Sequence, residues 1–267
     1  MSMLDQITPL ILTLDEEDNI ERVLARLGWA REIVVVDSGS SDATQSLLAR
    51  FANVRCVEHE FESHAAQWNY GLTETGIRTD WVLALDADYV LTDAFVDELR
   101  ALAPAADIAG YRAGFRYCVF GRVLRGTLYP PAVVLYRRAA GHYVQDGHTQ
   151  RLQASGRVEG LQAHILHDDR KPLARWLASQ VRYARLEADL LCTRSWREVG
   201  WPDRLRKLLV VMPPLAFIYC MIVAGGILDG WPGLFYALQR VIAEAVLSLA
   251  LIERRVTAAM AKDGNLP

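Results

Sequence analysis

An uninterrupted β-branched run, EIVVVD at residues 32–37, has the pattern of a strand that is covered on both of its faces. Apolar runs of this kind alternate with segments of helical spacing through the first hundred residues. The other strands are predicted at residues 10–14, 53–57 and 81–85, and the helices at 15–27, 38–51, 64–75 and 93–102. Such alternation predicts an α/β fold built on a mostly parallel sheet.

The second half of the chain has a different pattern. Residues 109–120 and 133–138 are predicted strands, and residues 150–167 are predicted to form a hairpin around Ser155 and Gly156. Residues 172–191 return to helical spacing, with arginines outside the apolar face. The sheet is therefore predicted to be mixed, not purely parallel.

Composition excludes several classes of protein. At 52% hydrophobic residues, the chain of 267 residues has enough apolar material for a sizeable core. A formal net charge of -3 with dispersed arginines argues against nucleic acid as a partner. Its four cysteines form no C-x-x-C pair, and the first residues contain no basic region followed by a long apolar run. We expect no disulfides, no zinc site and no signal peptide, so that the catalytic part stays in the cytosol.

The last fifth of the chain is strongly apolar. Residues 208–228 are 21 positions without a charge, close to the roughly 20 that a membrane span needs. Two prolines at 213 and 214 shorten the uninterrupted helix to residues 215–228, about 21 Å long, against a hydrocarbon core of about 30 Å. One full crossing is therefore not favoured.

A second apolar segment follows at residues 234–252, broken only by the i,i+4 pair Arg240 and Glu244. We predict a membrane-associated hairpin in one leaflet, preceded by basic residues at the headgroups, namely Arg204, Arg206 and Lys207. Two buried helices or a homodimer interface would show the same pattern. The predicted domains are a catalytic domain at 1–170, an amphipathic connector at 171–207 and the apolar tail at 208–267.

Two carboxylates end the stretch LALDADYVL. Asp86 and Asp88 follow an apolar strand, and the carboxyl ends of parallel strands are where open α/β folds bind ligands. Two close carboxylates repel each other, and a divalent cation between them reverses that cost. Oxygen ligands favour Mg²⁺ or Mn²⁺. An acidic pair that simply meets solvent at a strand end is the alternative.

A third acid, Asp37, ends the predicted strand at 32–37. Asp37 begins DSGSSDAT, where it could accept hydrogen bonds from a base or ribose, and Gly39 allows a tight turn. Ser40 or Ser41 could equally be the cap of the next helix. This stretch by itself favours neither interpretation.

Four blocks occur in order along the chain: LTLDEEDNIERVL, EIVVVDSGSSDAT, HAAQWNYGL and WVLALDADYVL. Together they resemble family 2 glycosyltransferases of the GT-A fold, and in particular the bacterial branch of lipopolysaccharide core β-glucosyltransferases. The resemblance continues through GRVLRGTLYPPAVVLYRR, DGHTQRL, HILHDDRKPLARWLASQVRYA and GGILDGWPGL. It implies a Rossmann-like, mostly parallel mixed sheet with a C-terminal helical membrane-associated segment.

The resemblance also implies an activity. The family transfers a hexose, here glucose, from a nucleotide-diphosphate sugar, usually a UDP-sugar, with inversion. A lipid-linked saccharide at the cytoplasmic face of the inner membrane is the implied acceptor. One alternative is a glycosyltransferase with a polyprenyl phosphate acceptor, and another is a scaffold that binds a nucleotide sugar without catalysis. A nucleotidyltransferase is disfavoured, because it would need a basic, glycine-rich phosphate loop where this chain has LDEEDN.

Site residues follow from the same resemblance. The residues expected to bind the donor are Thr13, Leu14, Glu16, Asp37, Ser38, Gln67, Asn69, Asp86, Ala87 and Asp88. Asp88 is expected to coordinate the metal, with Asp86 acting directly or through water. His167 corresponds to a histidine near the metal and diphosphate, although a structural role at a strand end explains it as well.

Two positions depart from the family pattern. Tyr89 replaces the glutamate of D-A-D-E, and Thr149 replaces the glutamate of an H-E pair that would supply the general base. Asp146 is the preferred replacement because a carboxylate stays ionised at neutral pH, and His148 is the other candidate. Both could instead be loop residues that shape the acceptor groove. A phosphate acceptor would need no base, because its oxygen is already anionic.

Overall fold

Two units make up the chain in the computed structural model, which describes residues 2–146 and 149–262. Residues Met1–Val123 and Tyr129–Arg170 form the sheet unit. Residues Leu124–Leu128 and Lys171–Pro267 form the helical unit. The chain therefore leaves the sheet unit after Val123 and returns to it at Tyr129.

The sheet unit contains eleven described strands. They are β1 (Ile7–Thr13), β2 (Ile33–Asp37), β3 (Val54–Glu58), β4 (Trp81–Asp86), β5 (Tyr89–Leu91), β6 (Ile108–Val119), β7 (Arg122–Val123), β8 (Ala132–Arg137), β9 (Gly141–Asp146), β10 (Thr149–Ala154) and β11 (Arg157–His167). Its helices are α1 (Ile20–Leu24), α2 (Thr44–Leu48), α3 (His64–Thr73) and α4 (Asp93–Ala101).

The main sheet has the strand order β3-β2-β1-β4-β8-β6-β11-β5, with β7 paired to β6. Strands β3, β2, β1 and β4 run parallel to one another. Strand β8 is antiparallel to both of its neighbours, β11 runs parallel to β6, and β5 is antiparallel to β11. The predicted α/β fold with a mostly parallel, mixed sheet is confirmed.

Helices cover both faces of the parallel strands. Alternate residues of β2 enter different apolar clusters, with Ile33 and Val35 on one face and Val34 and Val36 on the other. Residues of α1, α2 and α4 complete the first cluster, and residues of α3, with Trp68 among them, complete the second. This two-sided burial explains why the strand sequence is continuously apolar instead of alternating.

Some local predictions are wrong. Ser40 and Ser41 do not cap α2, which begins only at Thr44 after Ala43. The predicted hairpin at 155–156 is also absent: β10 pairs with β9 in a separate two-stranded sheet, whereas β11 joins the main sheet beside β6 and β5. Turn-forming residues marked the change of direction correctly but could not identify the strand partners.

The helical unit contains α5 (Leu173–Thr193), α6 (Trp201–Lys207), α7 (Met212–Ile218) and α8 (Trp231–Lys262). Between α7 and α8 lie a π-helical turn (Tyr219–Val223) and a 3₁₀ turn (Gly226–Asp229). Among the described residues, one helix, over Trp231–Ala261, is long and apolar enough to cross a membrane by length and composition. Glu244 accepts two hydrogen bonds from Arg206, at 2.8 and 3.1 Å, so its ionic partner comes from α6 and not from its own helix.

The short segment 124–128 is anchored within the helical unit. The Arg125 amide donates to Asp229 Oδ2 at 3.0 Å, and the Arg125 guanidinium lies 3.2 Å from the same carboxylate. The Leu128 amide donates to the Tyr236 hydroxyl at 2.9 Å. A Cβ on Gly126 would lie 2.5 Å from the Ala224 carbonyl oxygen, so only glycine permits this approach.

Gly110 allows close packing of β6 against β8. A Cβ at this position would lie 2.9 Å from the Leu135 carbonyl oxygen and 3.1 Å from Tyr136 Cβ. We expect Gly110→Ala to lower the free energy of unfolding by about 1–3 kcal/mol, because backbone in a central strand cannot move aside. Gly160→Ala in β11 is the matched control, since no atom lies within 4 Å of its Cβ position. Chemical denaturation measures both, and equal stability of the two variants would contradict this packing.

Candidate active site

The carboxyl ends of three parallel strands bring the predicted acids to one edge of the sheet. Thr13 at the end of β1 is in register with Asp37 at the end of β2. On the other side of β1, Leu12 is in register with Asp86 at the end of β4. Strand register alone therefore places Thr13, Asp37 and Asp86 side by side, as their positions after the predicted strands indicated.

Asp37 is fully buried and accepts hydrogen bonds on both of its carboxylate oxygens. Oδ1 accepts from the hydroxyls of Thr13 and Ser40. Oδ2 accepts from the amides of Gly39 and Ser40 and from Gln45 Nε2, at 2.9 to 3.2 Å. Burial opposes the charge, but these hydrogen bonds outweigh it and hold the pKa of Asp37 below its ordinary value.

The loops that follow β1 and β2 are bound to each other by reciprocal hydrogen bonds. The Asp15 amide donates to Ser40 Oγ, and Asp15 Oδ1 accepts from the Ser41 amide at 2.7 Å. The Glu16 amide donates to Thr44 Oγ1 at 2.7 Å. Asp15 has a positive φ of 53°, a conformation that aspartate tolerates better than most residues. The two loops form one ordered rim, and Leu14 is exposed on it.

Gln67 connects helix α3 to this rim. Its Nε2 donates to Ser38 Oγ and to the His59 carbonyl, both at 2.9 Å, and its Oε1 lies 2.7 Å from His59 Nδ1. Gln67 has no exposed surface. Its side-chain amide therefore positions Ser38 at the start of the loop after β2.

Asn69 lies on the same helix but contacts a different element. Its Nδ2 donates to the Tyr143 carbonyl, and its Oδ1 accepts from the Tyr143 amide, each at 2.9 Å. The side chain thus binds the backbone of β9 as a neighbouring strand would. Ala65, at the start of α3, donates its amide to Gln145 Oε1. Helix α3 therefore holds the strand that ends at Asp146.

Asp88 lies two residues beyond Asp86, after the buried Ala87, and faces His167 at the end of β11. His167 Nε2 lies 3.1 Å from Asp88 Oδ2. Burial disfavours a charged imidazole, but the adjacent Asp88 carboxylate outweighs it and raises the pKa of His167. The structure therefore brings together two residues that are 79 positions apart in the sequence.

Aromatic rings surround His167. In register, His167 faces Tyr89 of β5 on one side and Tyr117 of β6 on the other. The Tyr89, Tyr117 and Tyr129 ring centroids lie 5.3, 4.7 and 4.6 Å from that of His167. Tyr89 and Tyr129 also join through their hydroxyl groups. Within the described part of the chain, His167 Nδ1 is buried without a hydrogen-bond partner, so the imidazole is oriented by ring packing and by the contact of Nε2 with Asp88.

Tyr89 is thereby explained. In place of the glutamate of D-A-D-E, the chain has a buried phenol that packs on Phe115 and His167. Burial raises the pKa of Tyr89 well above its ordinary value, and the nearby carboxylate of Asp86 adds to this effect. Tyr89 is therefore a neutral hydrogen-bonding residue and adds no charge beside Asp86 and Asp88.

A partly buried polar network connects Asp88 to the turn after β11 and to the start of α1. The Asp168 amide donates to the Asp88 carbonyl at 3.0 Å, and Arg22 Nη2 donates to the Asp168 carbonyl at 2.7 Å. The Asp168 carboxylate accepts two hydrogen bonds from Arg170, at 2.9 and 3.1 Å. Asn19, which is almost fully buried, donates to Asp169 and accepts from the Arg170 amide. The turn after β11 is thus tied to the start of α1.

Sequence reasoning singled out Tyr89 but neither this network nor the other aromatic residues around His167. A signal existed for Phe115 and Tyr117, because residues two apart on a strand share a face. No comparable signal linked Tyr129 or Asn19 to this part of the chain, since their proximity depends on the pairing of β11. His148 lies outside the described residues, and of Asp146 only the backbone at the end of β9 is described.

Asp88 and His167 suit a divalent cation that also binds a substrate. Among the described residues, no three His, Cys, Asp or Glu side chains gather as a complete metal site. Mg²⁺ and Mn²⁺ commonly use one or two protein ligands and take the others from phosphates and water. An imidazole ligand favours Mn²⁺ over Mg²⁺, because nitrogen ligands suit transition metals. The residues present therefore fit a cation held jointly by the protein and a diphosphate.

The α/β sheet carries acids at the carboxyl ends of its parallel strands, as the resemblance to family 2 glycosyltransferases implies. The sequence model of Glycosyl transferase family 2 matches residues 10–159, which is more than half of the chain. The chain belongs to this family, and the predicted resemblance is confirmed.

Two relatives extend the match. The lipopolysaccharide core biosynthesis glycosyltransferase LpsC of Rhizobium meliloti (strain 1021) is 26% identical over 226 residues, 79% of each chain. An uncharacterized glycosyltransferase of Rickettsia bellii (strain RML369-C) is 32% identical over 96 residues, 36% of this chain and 32% of its own.

Solved structures are more distant. S. aureus TarS 1-349 covers 94% of this chain and 92% of its own, at 14% identity and a TM-score of 0.43. Glucosyl-3-phosphoglycerate synthase from Mycobacterium tuberculosis, in complex with Mn²⁺, UDP and glucosyl-3-phosphoglycerate, covers 70% and 79% at 17% identity and a TM-score of 0.42. The family assignment rests on the sequence match.

The hydrogen bonds of Asn69 predict a local effect on the β9–β10 sheet. We expect Asn69→Ala to cost about 1–3 kcal/mol of stability, because two backbone groups of Tyr143 lose their partner. Amide hydrogen exchange should become faster in β9 and β10 while α4 keeps its protection. Thr73→Ala on the same helix is the control, since its exposed hydroxyl bonds only the Asn69 carbonyl. Unchanged exchange in β9 of the Asn69 variant would refute this role.

Proposed function

We propose that the protein is a metal-dependent, inverting glycosyltransferase that transfers a hexose, glucose, from UDP-glucose to a lipid-linked saccharide during lipopolysaccharide core synthesis. Membership of family 2 supports sugar transfer. The similarity to LpsC, whose name assigns it to lipopolysaccharide core biosynthesis, supports the pathway and the class of acceptor.

The contact between Asp88 and His167 is the observation that carries this proposal. The Asp88 carboxylate and the His167 imidazole lie 3.1 Å apart, and Asp88 follows Asp86 closely in the chain. The carboxyl ends of parallel strands, where Asp86 lies, are where open α/β sheets bind nucleotides. A divalent cation bound there would neutralise the negative charge that grows on the leaving diphosphate. Asp88 and His167 would hold the cation, with Asp86 hydrogen-bonded to its water or to the ribose.

The rim formed by the loops after β1 and β2 would receive the nucleoside. Thr13, Asp37 and Ser38 lie together there, and the hydrogen bonds between the two loops keep the rim in one conformation. Uridine would replace one of the donors that now satisfy the Asp37 carboxylate, since that carboxylate is already saturated. Exchange of one hydrogen bond for another keeps the buried charge satisfied throughout.

The β9–β10 sheet would bind the acceptor. Inversion requires a hydroxyl to attack from the face opposite to the diphosphate, and Asp146 at the end of β9 is our general base, with His148 as the other candidate. The tyrosines around His167 would exclude water from the reacting centre, which limits hydrolysis of the donor.

The cytoplasmic face of the inner membrane is the proposed location, with peripheral or monotopic attachment. The acceptor class requires access to lipid, and the apolar sequence of the helical unit supports membrane contact. A homodimer is compatible with this location.

Binding of UDP tests the metal site directly. We expect Mn²⁺ to strengthen UDP binding to the wild-type protein, and Asp88→Asn to weaken Mn²⁺-dependent UDP binding by at least about tenfold, because a neutral amide is a poor cation ligand. Isothermal titration with and without Mn²⁺ measures the effect.

Asp80→Asn is the matched control. This exposed carboxylate directly precedes β4, whereas Asp88 follows the other end of that strand. If Asp88→Asn retained metal-dependent UDP binding and full turnover, the metal role would be wrong. Metal-dependent UDP binding without transfer to any acceptor would instead identify a binding scaffold.

Replacement of Asp146 separates the two classes of acceptor. For a sugar hydroxyl, Asp146→Asn should lower kcat by about 10²- to 10⁴-fold and leave UDP affinity unchanged, because proton removal is lost while donor binding is not. A polyprenyl phosphate acceptor would show no such loss. Full activity toward a saccharide acceptor in Asp146→Asn, with loss in a His148→Gln variant, would transfer the role to His148.

A further inference from the structure

A cluster of large apolar side chains is exposed to solvent in the helical unit between α6 and the start of α8. We call it the apolar wedge; its members, each at least 65% exposed, are Val210, Ile222, Val223, Ile227, Leu228 and Trp231. Trp231 is 81% exposed. Exposed apolar residues are common singly, but six within 22 positions indicate an interaction surface.

The wedge is held by tight packing beneath it. Ala216, Cys220, Tyr236 and Ala237 are buried under the turns between α7 and α8. A Cβ on Gly233 would lie 2.0 Å from the Gly226 carbonyl oxygen, so the start of α8 touches the backbone of the 3₁₀ turn. Gly225 and Gly230, at the two ends of this turn, have φ of 76° and 63°. The exposed side chains therefore extend from an ordered base.

Helix α8 is unsuited to crossing a membrane, although its length and composition allow it. Glu244, only 8% exposed, accepts both hydrogen bonds from Arg206 near the middle of this helix. Further along, Arg254 lies 2.6 Å from Asp189 of α5, and Arg255 donates to the Lys207 carbonyl. A span centred on α8 would carry these charges and its packed partner helices into hydrocarbon.

The positive charge of the helical unit favours an anionic partner. Its residues include 14 lysines and arginines against 8 aspartates and glutamates, whereas the sheet unit has 15 against 24. The overall charge of -3 conceals this difference. A positive unit that exposes an apolar wedge with a tryptophan at its edge is complementary to a bilayer with anionic headgroups.

We propose that the apolar wedge inserts into one leaflet of an anionic bilayer and that α8 remains outside the hydrocarbon core. This inference deepens the proposed membrane location and rests on it. The wedge side chains enter the acyl region to a depth of about 5–10 Å, as interfacial segments do, while basic residues of the same unit contact headgroups.

Two residues of equal exposure distinguish insertion of the wedge from a transmembrane α8. Ile227 in the wedge is 65% exposed, and Leu249 near the middle of α8 is 66% exposed. We expect Ile227→Asp to weaken binding to vesicles of phosphatidylcholine and phosphatidylglycerol by at least about tenfold, because a carboxylate would have to enter the acyl region. Leu249→Asp should bind like the wild-type protein.

Vesicle flotation measures this binding, and vesicles of phosphatidylcholine alone should capture less protein at low salt. Equal binding of Ile227→Asp and the wild-type protein would overturn the proposal, as would loss of binding in Leu249→Asp. Sedimentation without lipid tests a second copy as the occupant. A dimer that Ile227→Asp converts to monomers, together with no vesicle binding by the wild-type protein, would assign the wedge to a dimer interface instead.

UDP binding is measured on the same samples. Both substitutions lie on exposed positions of the helical unit, so Mn²⁺-dependent UDP binding should be unchanged in each. Vesicle binding without UDP binding would reject the proposed activity and keep the wedge, whereas UDP binding without vesicle binding would do the reverse.

Discussion

The buried carboxylate of Asp37 is the interaction on which the ligand-binding edge of the sheet depends. A charge without exposed surface must have its lone pairs filled by hydrogen-bond donors, and five donors surround this one. Those donors come from β1, from the loop after β2 and from α2. Because each of them must stay in place, one side chain fixes the end of β1, the loop after β2 and the start of α2.

The parallel half of the fold could be predicted from the sequence because burial on both faces leaves a clear pattern. Each of the four parallel strands was located to within a few residues of its observed bounds. The antiparallel half was less predictable. The predicted hairpin over residues 150–167 implied a strand after Gly156, but β11 pairs with β5 and β6 through contacts that no local pattern encodes.

The candidate site divides in the same way. Asp37 and Asp86 share an edge because each ends a parallel strand, so their positions in the sequence sufficed, whereas Thr13 was expected there from the family resemblance. The link between Asp88 and His167 needed a resemblance to a known family, since it depends on β11. Charge pairing was least predictable: helical spacing suggested Arg240 for Glu244, whereas tertiary packing placed Arg206 there.

Tyr89 stands where the family pattern has a glutamate, and it packs in a well-defined position among the neighbouring rings. A third carboxylate beside Asp86 and Asp88 would add repulsion. The phenol instead contributes ring area around an imidazole whose second nitrogen has no partner in the described structure. Aromatic packing orients the imidazole less directionally than a hydrogen bond does, but it also limits the access of water.

Segment 124–128 has a consequence for the order in which the protein folds. Its partners Asp229 and Tyr236 lie 104 and 108 positions later in the chain, so they are synthesised long after the strands on either side of it. The hydrogen bonds that hold residues 124–128 can therefore form only after the tail of the chain has been synthesised. We expect this segment to become ordered later than the strands on either side of it.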